Sequence, residues 1–460
     1  MDLDVRRRLR EVEEEIVARA PEHDIDPTTD RVRALLEVLG DPHRTYPVVH
    51  ITGTNGKTST ARMIERLLLE LGLRSGRFTS PHLHDIRERI VLSGELVEAR
   101  RFVEAYDEIA PLLALVEQRS LEAGTGRFSF FEVLVAMGYA IFADAPVDVA
   151  VVEVGMGGVW DATNVADGAV AVITPIALDH ERYLGSEVED IAGEKSGIIK
   201  PGAIVVSAAQ EIGAAEVLRQ RAEQVGASIA WDVTEGTAGG EGTAGLAVLA
   251  RDVAIGGQML TLRGLAGDYP DLFLPLHGEH QAHNALLALA AVEALVGGGE
   301  QPLDLEVVRA AFAAVESPGR LEIVRRSPTV LVDAAHNPHG MEALVPAVEE
   351  TFGLSHLVAV VGVMADKDAE SMLSVLEPAC EAVVCVPIDS PRAMEPEDLA
   401  EVAREVFGAD RVELGDTLAA GVEQAVTLAE SFDAPMPATG VLIVGSVLLA
   451  AEARALFGRA

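Results

Sequence analysis

Lys57 lies within a run whose residue types and order suit phosphate binding, His50-Ile51-Thr52-Gly53-Thr54-Asn55-Gly56-Lys57-Thr58-Ser59-Thr60. The apolar stretch Val48-Val49-His50-Ile51 predicts a strand that breaks into the glycine turn. A helical pattern follows, with Met63, Ile64, Leu67, Leu68 and Leu71 on one face and Gly72 as its stop. Strand, glycine-rich turn, Lys-Thr and helix together form an anion site. The glycines let the backbone approach, and successive N–H groups and the helix N-terminus face the anion. Lys57 adds a point charge, and the Thr58 hydroxyl can reach Mg2+. The standard spacing would need a glycine at position 51, where this chain has Ile51; its first glycine is Gly53, three before Gly56. A shortened loop holding nucleotide phosphates is the expectation.

More residues able to do chemistry stand at expected strand ends. Glu153 follows the apolar run Val147–Val152 and precedes Gly155-Met156-Gly157-Gly158. In an open α/β sheet the ligand crevice lies outside the carboxyl ends of the strands. A carboxylate there can hold the Mg2+ that bridges nucleotide phosphates. His180 takes the equivalent place after the next strand, in Thr174-Pro175-Ile176-Ala177-Leu178-Asp179-His180, and reads as a metal ligand beside Glu153. Ser80 lies in Thr79-Ser80-Pro81-His82-Leu83, where Ser-Pro alone is a turn signal. Lys195 stands in Gly193-Glu194-Lys195-Ser196-Gly197-Ile198, in a chain with only four lysines. Asp333-Ala334-Ala335-His336-Asn337-Pro338 follows the strand-like run 329–332, so Asp333 and His336 could face across a cleft toward the glycine loop. The segment Gly362-Val363-Met364-Ala365-Asp366-Lys367-Asp368 repeats that strand-then-polar pattern.

The elements that must position these residues alternate. Residues 1–46 read as a helical preface with a Pro/Asp-rich turn around Pro21–Pro27. From Pro47 strand and helix alternate, which implies a mainly parallel sheet. Val147–Val152, Ala169–Ile173 and Ala203–Val206 are near-continuous apolar runs, as buried central strands require. Residues 235–250 read as an exposed loop or hairpin without chemistry. Gln281 to Leu295 forms an Ala/Leu-rich helix ending at Gly297-Gly298-Gly299, and that triplet with Pro302 marks the domain boundary. Beyond it, strand-like runs at 329–332, 357–363, 382–386 and 441–444 alternate with helical segments such as 341–350 and 397–407. There is no GxGxxG fingerprint there, so a dinucleotide site has no support.

Composition narrows the function classes. A net charge of −37 argues against nucleic acid as a substrate. With four lysines among 36 basic residues, the acidic, arginine-dominated surface fits adaptation to high intracellular salt, where self-repulsion is screened. Cys380 and Cys385 read as buried thiols of a reducing cytoplasm. No apolar run approaches the roughly 18 residues of a membrane span, and the N-terminus runs into acidic helical sequence rather than a signal core. A cytoplasmic location without membrane or nucleic-acid partners is expected.

Taken in order, these segments resemble the dihydrofolate synthase/folylpolyglutamate synthase family, a branch of the Mur-ligase superfamily. The resemblance spans nearly the whole chain. It rests on the run from His50 to Lys57, Ser80-Pro81-His82-Leu83, Ser129-Phe130-Phe131-Glu132, and Glu153 to Gly158. It continues through Asp161-Ala162-Thr163-Asn164, Leu178-Asp179-His180, Glu194-Lys195-Ser196-Gly197, Gly278 to Gln281 with Asn284-Ala285, Pro318-Gly319-Arg320 and Asp333 to Pro338.

The resemblance implies an α/β fold of Mur-ligase type. A P-loop-containing, parallel-sheet ATP-binding domain over 1–298 carries a pterin-side pocket, and a smaller Rossmann-like glutamate-ligase domain follows over 302–460. It implies that Gly53, Asn55, Gly56, Lys57, Thr58 and Ser59 hold the phosphates. Asn284, Arg320, Asp333 and His336 would serve the nucleotide. Ser80, Glu153 and His180 would be Mg2+ ligands, and Lys195 would be carbamylated. Lys57, Lys195 and His180 would be the catalytic set. Ser129, Phe130, Phe131, Glu132, Trp160, Asp161 and Ala162 would line the pterin-side pocket.

The implied reaction is ATP-dependent ligation of L-glutamate to dihydropteroate, or to the γ-carboxylate of a folate, through an acyl phosphate. A monomer is expected. Another Mur-type amide ligase with a different carboxylate acceptor, or a non-catalytic ATP-binding switch, are the alternatives. In one place the chain departs from the family pattern: Gly157-Gly158-Val159-Trp160 replaces a segment that usually carries an Arg after the glycine pair.

Overall fold

The apolar runs become buried strands of a parallel sheet. The computed structural model describes residues 2–20, 26–233, 245–433 and 438–459. Its largest sheet has eight strands, ordered Glu95–Leu96, Ile90–Leu92, Ser75–Phe78, Val149–Glu153, Val48–Thr52, Val170–Ile173, Ile204–Ser207 and Ser228–Trp231. The strands from Ser75–Phe78 onward pair in parallel, and the two edge strands pair antiparallel. Val48–Thr52 is central, with Ile51 opposite Glu153 on one side and Thr52 opposite Ile173 on the other. The strands carrying Glu153 and leading to His180 are therefore not neighbours; the glycine-loop strand runs between them.

The helix after the loop runs Lys57–Glu70 and stops before Gly72, whose φ is +78°. The N-terminal preface forms helices Leu3–Val17 and Asp30–Val38. The expected turn around Pro21–Pro27 lies mostly outside the described residues. So does much of 235–250, whose last part is strand: Ala247–Ala254 belongs to a separate three-stranded sheet with Gly257–Arg263 and Asp268–Leu274.

The third sheet runs Glu322–Arg326, Thr329–Val332, Thr439–Val444, His356–Val361, Ala382–Cys385 and Val412–Leu414. Only Glu322–Arg326 is antiparallel to its neighbour. Helices cover it, among them Pro338–Phe352 and Pro396–Phe407. Cys380 and Cys385 are buried free thiols in its core.

The chain divides into two compact units, Met1–Arg251 with Met259–Leu274 and Ala282–Val315, and Asp252–Gln258 with Pro275–Gln281 and Glu316–Ala460. The helix Leu305–Ala313, beyond the Gly297–Gly299 triplet, thus belongs with the first unit. Each unit has its own apolar clusters; Phe78, Phe128 and Phe142 centre one in the first, and Leu331, Met372 and Leu442 one in the second. No helix among the described residues is long and apolar enough to cross a membrane.

Candidate active site

The glycine loop is held by polar stitches to the loop after Val170–Ile173. The Thr54 N–H donates to the Pro175 carbonyl at 2.8 Å, and the Thr54 hydroxyl donates to the Ala177 carbonyl at 2.9 Å. Gly53 has φ +144°, and a Cβ there would sit 1.9 Å from Thr174 Oγ1, so only glycine fits. Gly56 caps the helix at φ +89°, with the Asn284 amide oxygen 2.5 Å from where its Cβ would be. Asn284, buried on the helix Glu279–Gly297, thus lies against the glycine turn.

Both key lysines turn onto the loop backbone. Lys57 Nζ donates to the carbonyls of Gly53 and Thr54, each at 3.0 Å. Lys195 Nζ, buried, donates to the Gly53 carbonyl at 2.9 Å. Burial, and then the nearby Lys57 charge, lower the Lys195 pKa from 10.5 to about 7, against smaller opposing pulls from Asp179, Asp161 and Glu194.

Glu153 ends its strand with a buried carboxylate that accepts the Thr58 hydroxyl at 2.9 and 3.0 Å. These hard oxygens fit Mg2+, which is bound through one or two carboxylates plus substrate phosphates rather than a protein cage. Among the described residues no three His, Cys, Asp or Glu side chains are arranged to hold an ion. His180 sits in a left-handed conformation, φ +54°, with its imidazole 3.9 Å from the Asp179 carboxylate. Ser80 is half-buried on the loop after Ser75–Phe78.

The loop after Glu153 packs backbone to backbone on Lys195. A Cβ at Gly158 would lie 2.5 Å from the Glu194 carbonyl oxygen and 2.9 Å from that of Lys195, and one at Gly197 would lie 2.6 Å from Val159 Cα. Asp161 does not project into open space. Its buried carboxylate accepts the N–H groups of Met156 at 3.0 Å and Thr163 at 2.9 Å, and the Thr163 hydroxyl. That hydroxyl also bonds His50 Nε2 at 2.9 Å, which ties this loop to the glycine-loop strand. Burial pushes the His50 pKa down to about 3, so the ring is neutral. Trp160 is half-buried beside Leu184 and Ile198, and Ala162 is buried.

Ser129 and Glu132 form a capping box on the helix Phe130–Asp144: Glu132 N–H donates to Ser129 Oγ at 3.2 Å, and Ser129 N–H to Glu132 Oε2 at 2.7 Å. Glu132 also pairs with Arg31 Nε at 2.9 Å, both side chains buried. Phe130 is buried under the Arg89 guanidinium, 4.9 Å from its ring centroid, and Phe131 meets Phe78 edge-on at 5.8 Å. Ser129 and Glu132 therefore have structural bonds where the sequence suggests ligand contacts.

In the second unit Asp333 ends up buried at the carboxyl end of Thr329–Val332. Its carboxylate accepts the N–H groups of Leu321 and Ala335, each at 2.7 Å. Burial raises its pKa, against the pull of the Arg320 charge. His336 Nδ1 donates to the Ala334 carbonyl at 2.9 Å, which fixes that ring nitrogen as a donor.

Known proteins match this arrangement. Residues 132–292 match the Mur ligase middle domain and residues 319–447 the Mur ligase glutamate ligase domain. The dihydrofolate synthase/folylpolyglutamate synthase of Mycobacterium tuberculosis is 49% identical, covering 98% of this chain and 94% of its own. The chain belongs to the dihydrofolate synthase/folylpolyglutamate synthase family. Its members are ATP-dependent Mur-type ligases that form amide bonds. A structure of M. tuberculosis folylpolyglutamate synthase complexed with ADP superposes with a TM-score of 0.92 at 48% identity, covering 99% of each chain. Escherichia coli FolC in complex with DHPP and ADP does so with a TM-score of 0.81 at 27% identity, covering 99% of this chain and 97% of that one.

In this synthase-family chain, Gly53, Gly56, Lys57, Thr58, Glu153, Lys195 and Asn284, all singled out in the sequence, lie in one neighbourhood. Sequence reasoning misses Thr174, which shapes the loop at Gly53, and His50, which anchors the loop after Glu153. It also misses the Arg31 that neutralises Glu132. Their only sequence signal is position: Thr174 directly follows a buried strand, and His50 is a lone polar residue inside one.

Proposed function

We propose that this chain joins L-glutamate to the carboxylate of a pterin-bearing acceptor, either dihydropteroate or a folate that already carries glutamate. The observation that carries this is the shortened glycine loop with Thr58 bonded to the strand-end carboxylate of Glu153, in a member of this ligase family.

The chemistry follows from a poor electrophile. A carboxylate oxygen of the acceptor attacks the γ-phosphorus of ATP, ADP leaves, and an acyl phosphate forms. The neutral amine of glutamate then attacks the acyl carbon. The C–O bond to phosphate breaks, phosphate carries off the former carboxylate oxygen, and the amine loses its proton. Lys57, whose ammonium lies on the Gly53 and Thr54 carbonyls, neutralises charge on the transferring group, and the loop N–H groups align it. Glu153 and Thr58, with Ser80 and His180, would hold Mg2+, which when bound disperses phosphate charge.

Lys195 carries a carbamate in this reading. The modification needs a neutral amine, and a pKa near 7 makes one abundant at neutral pH. Trp160 offers an apolar face to the pterin ring, Phe130 and Phe131 complete that side, and Asp161 and Ala162 hold the loop. Asn284, Arg320, Asp333 and His336 are assigned to the nucleotide. The enzyme works as a cytoplasmic monomer suited to high salt.

The test is ADP release by the purified protein in high salt. It should require both L-glutamate and a pterin-bearing acceptor, with dihydropteroate and tetrahydrofolate compared side by side. ADP release that ignores glutamate, or that responds only to a different carboxylate, would overturn the reading.

A further inference from the structure

His283 directly precedes Asn284 on the helix Glu279–Gly297, and it is tied to the far edge of the eight-stranded sheet. Its Nδ1 lies 2.5 Å from Asp232 Oδ2, with the Asp232 side chain 2% exposed and His283 21%. A carboxylate only accepts, so Nδ1 carries the proton. Asp232 follows the edge strand Ser228–Trp231, and its own N–H donates to the Ser207 carbonyl at 2.8 Å. Its second oxygen, Oδ1, is buried without a hydrogen-bond partner among the described residues. The carboxylate is thus committed to His283 rather than to solvent.

We infer that the Asp232–His283 pair is a positioning device for the nucleotide loop, fixing the rotation of the helix that presents Asn284 to Gly56. Around this turn the helix buries Ala282, Ala285 and Leu286 completely. The burial of these side chains is a non-directional force that holds the helix against the sheet without by itself selecting one polar contact. A short hydrogen bond to a carboxylate adds a directional restraint on the helix's rotation. Successive residues of a helix are about 100° apart, so pinning His283 sets where Asn284 points. The Asn284 amide oxygen already lies where a Gly56 Cβ would be 2.5 Å away, so a modest rotation would press it into the turn or lift it off. Neither Asp232 nor His283 need touch a substrate.

The inference rests on the proposed nucleotide role of Asn284, and the experiment separates the two. In the full-length protein, kcat, the KM values for ATP and glutamate, and the melting temperature are measured for Asp232→Ala, His283→Leu, the double variant and Asn284→Ala. The conservative Asp232→Asn and His283→Asn keep an acceptor and a donor in place. Asp232→Ala and His283→Leu should each raise KM for ATP about tenfold with glutamate KM unchanged, and the double variant should be no worse than either single one. Asp232→Asn and His283→Asn should stay within about twofold of the parent. If Asp232→Ala fails to fold, His283→Leu carries the test. A lowered melting temperature with unchanged KM for ATP in His283→Leu, while Asn284→Ala raises it, overturns the positioning role alone. An unchanged KM for ATP in Asn284→Ala overturns the nucleotide role of Asn284, and the positioning role with it.

Discussion

Lys57 and Lys195 donate to the same oxygen, the Gly53 carbonyl, at 3.0 and 2.9 Å. Two ammonium groups converging on one acceptor repel each other, and the buried one yields. Burial first, and the Lys57 charge second, hold the Lys195 pKa down to about 7, against 10.5 for a free lysine. Between those values the unfolded chain holds the extra proton, so stability rises with pH through this window. Below about 7 the whole cost of burying the cation is present, at about 1.4 kcal/mol per unit of depression. In bicarbonate-free buffer Lys195→Met should therefore melt several degrees above the parent at about pH 6.5, with the advantage shrinking toward pH 10. Thermal melts across that range decide it; a Met variant less stable at every pH would contradict the burial argument.

The same neutral amine should capture carbon dioxide. With 13C-labelled bicarbonate, the parent protein is expected to show a carbamate carbon resonance that Lys195→Ala lacks. Lys195→Ala should be inactive and partly rescued by acetate. A parent spectrum without that resonance, under conditions where the enzyme turns over, would remove the carbamate from the mechanism.

Glu132 separates structural from ligand-binding roles. It caps its own helix and neutralises buried Arg31. Glu132→Ala leaves that buried guanidinium with the exposed Asp26 carboxylate as its remaining counter-charge, so it should cost stability toward the low end of ~3–5 kcal/mol. Chemical denaturation measures this directly. A stable Glu132→Ala protein with a raised KM for the acceptor alone would return the residue to the pterin-side pocket.

Much of this architecture is legible in the chain. Val147–Val152 reads as a buried strand because parallel strands covered on both faces are apolar throughout, and Gly53 to Thr58 reads as an anion loop because few residue types allow that turn. What stays hidden is satisfied at long range. Ser129 and Glu132 look like polar residues beside aromatic ones until their bonds to each other and to Arg31 are seen. Asp161 looks like a ligand contact until its carboxylate is found accepting backbone N–H groups. The strand order hides as well: nothing in the order of the segments says that the glycine-loop strand inserts between those of Glu153 and His180.

Trp160 is half-buried on the loop that follows Gly157-Gly158. If its face supports the pterin ring, Trp160→Ala should raise KM for dihydropteroate about tenfold or more and leave KM for ATP within about twofold. Steady-state kinetics on the folded variant supplies the answer. Equal losses toward both substrates would make Trp160 a packing residue of the Lys195 loop.

With 73 acidic against 36 basic residues, self-repulsion should destabilise the fold in dilute buffer. The Debye length falls from about 10 Å at 0.1 M salt to about 3 Å at 1 M, so the melting temperature should climb by many degrees over that range. A salt-independent melting temperature would mean that the acidic residues are already compensated.

The central claim is that a carboxylate is activated as an acyl phosphate. The most direct measurement starts from dihydropteroate labelled with 18O in both carboxylate oxygens and follows the phosphate released with ATP and L-glutamate. The account predicts that each phosphate carries a single 18O, transferred when the amine displaces it, while the new amide keeps the other. Unlabelled phosphate alongside normal glutamate ligation would contradict it.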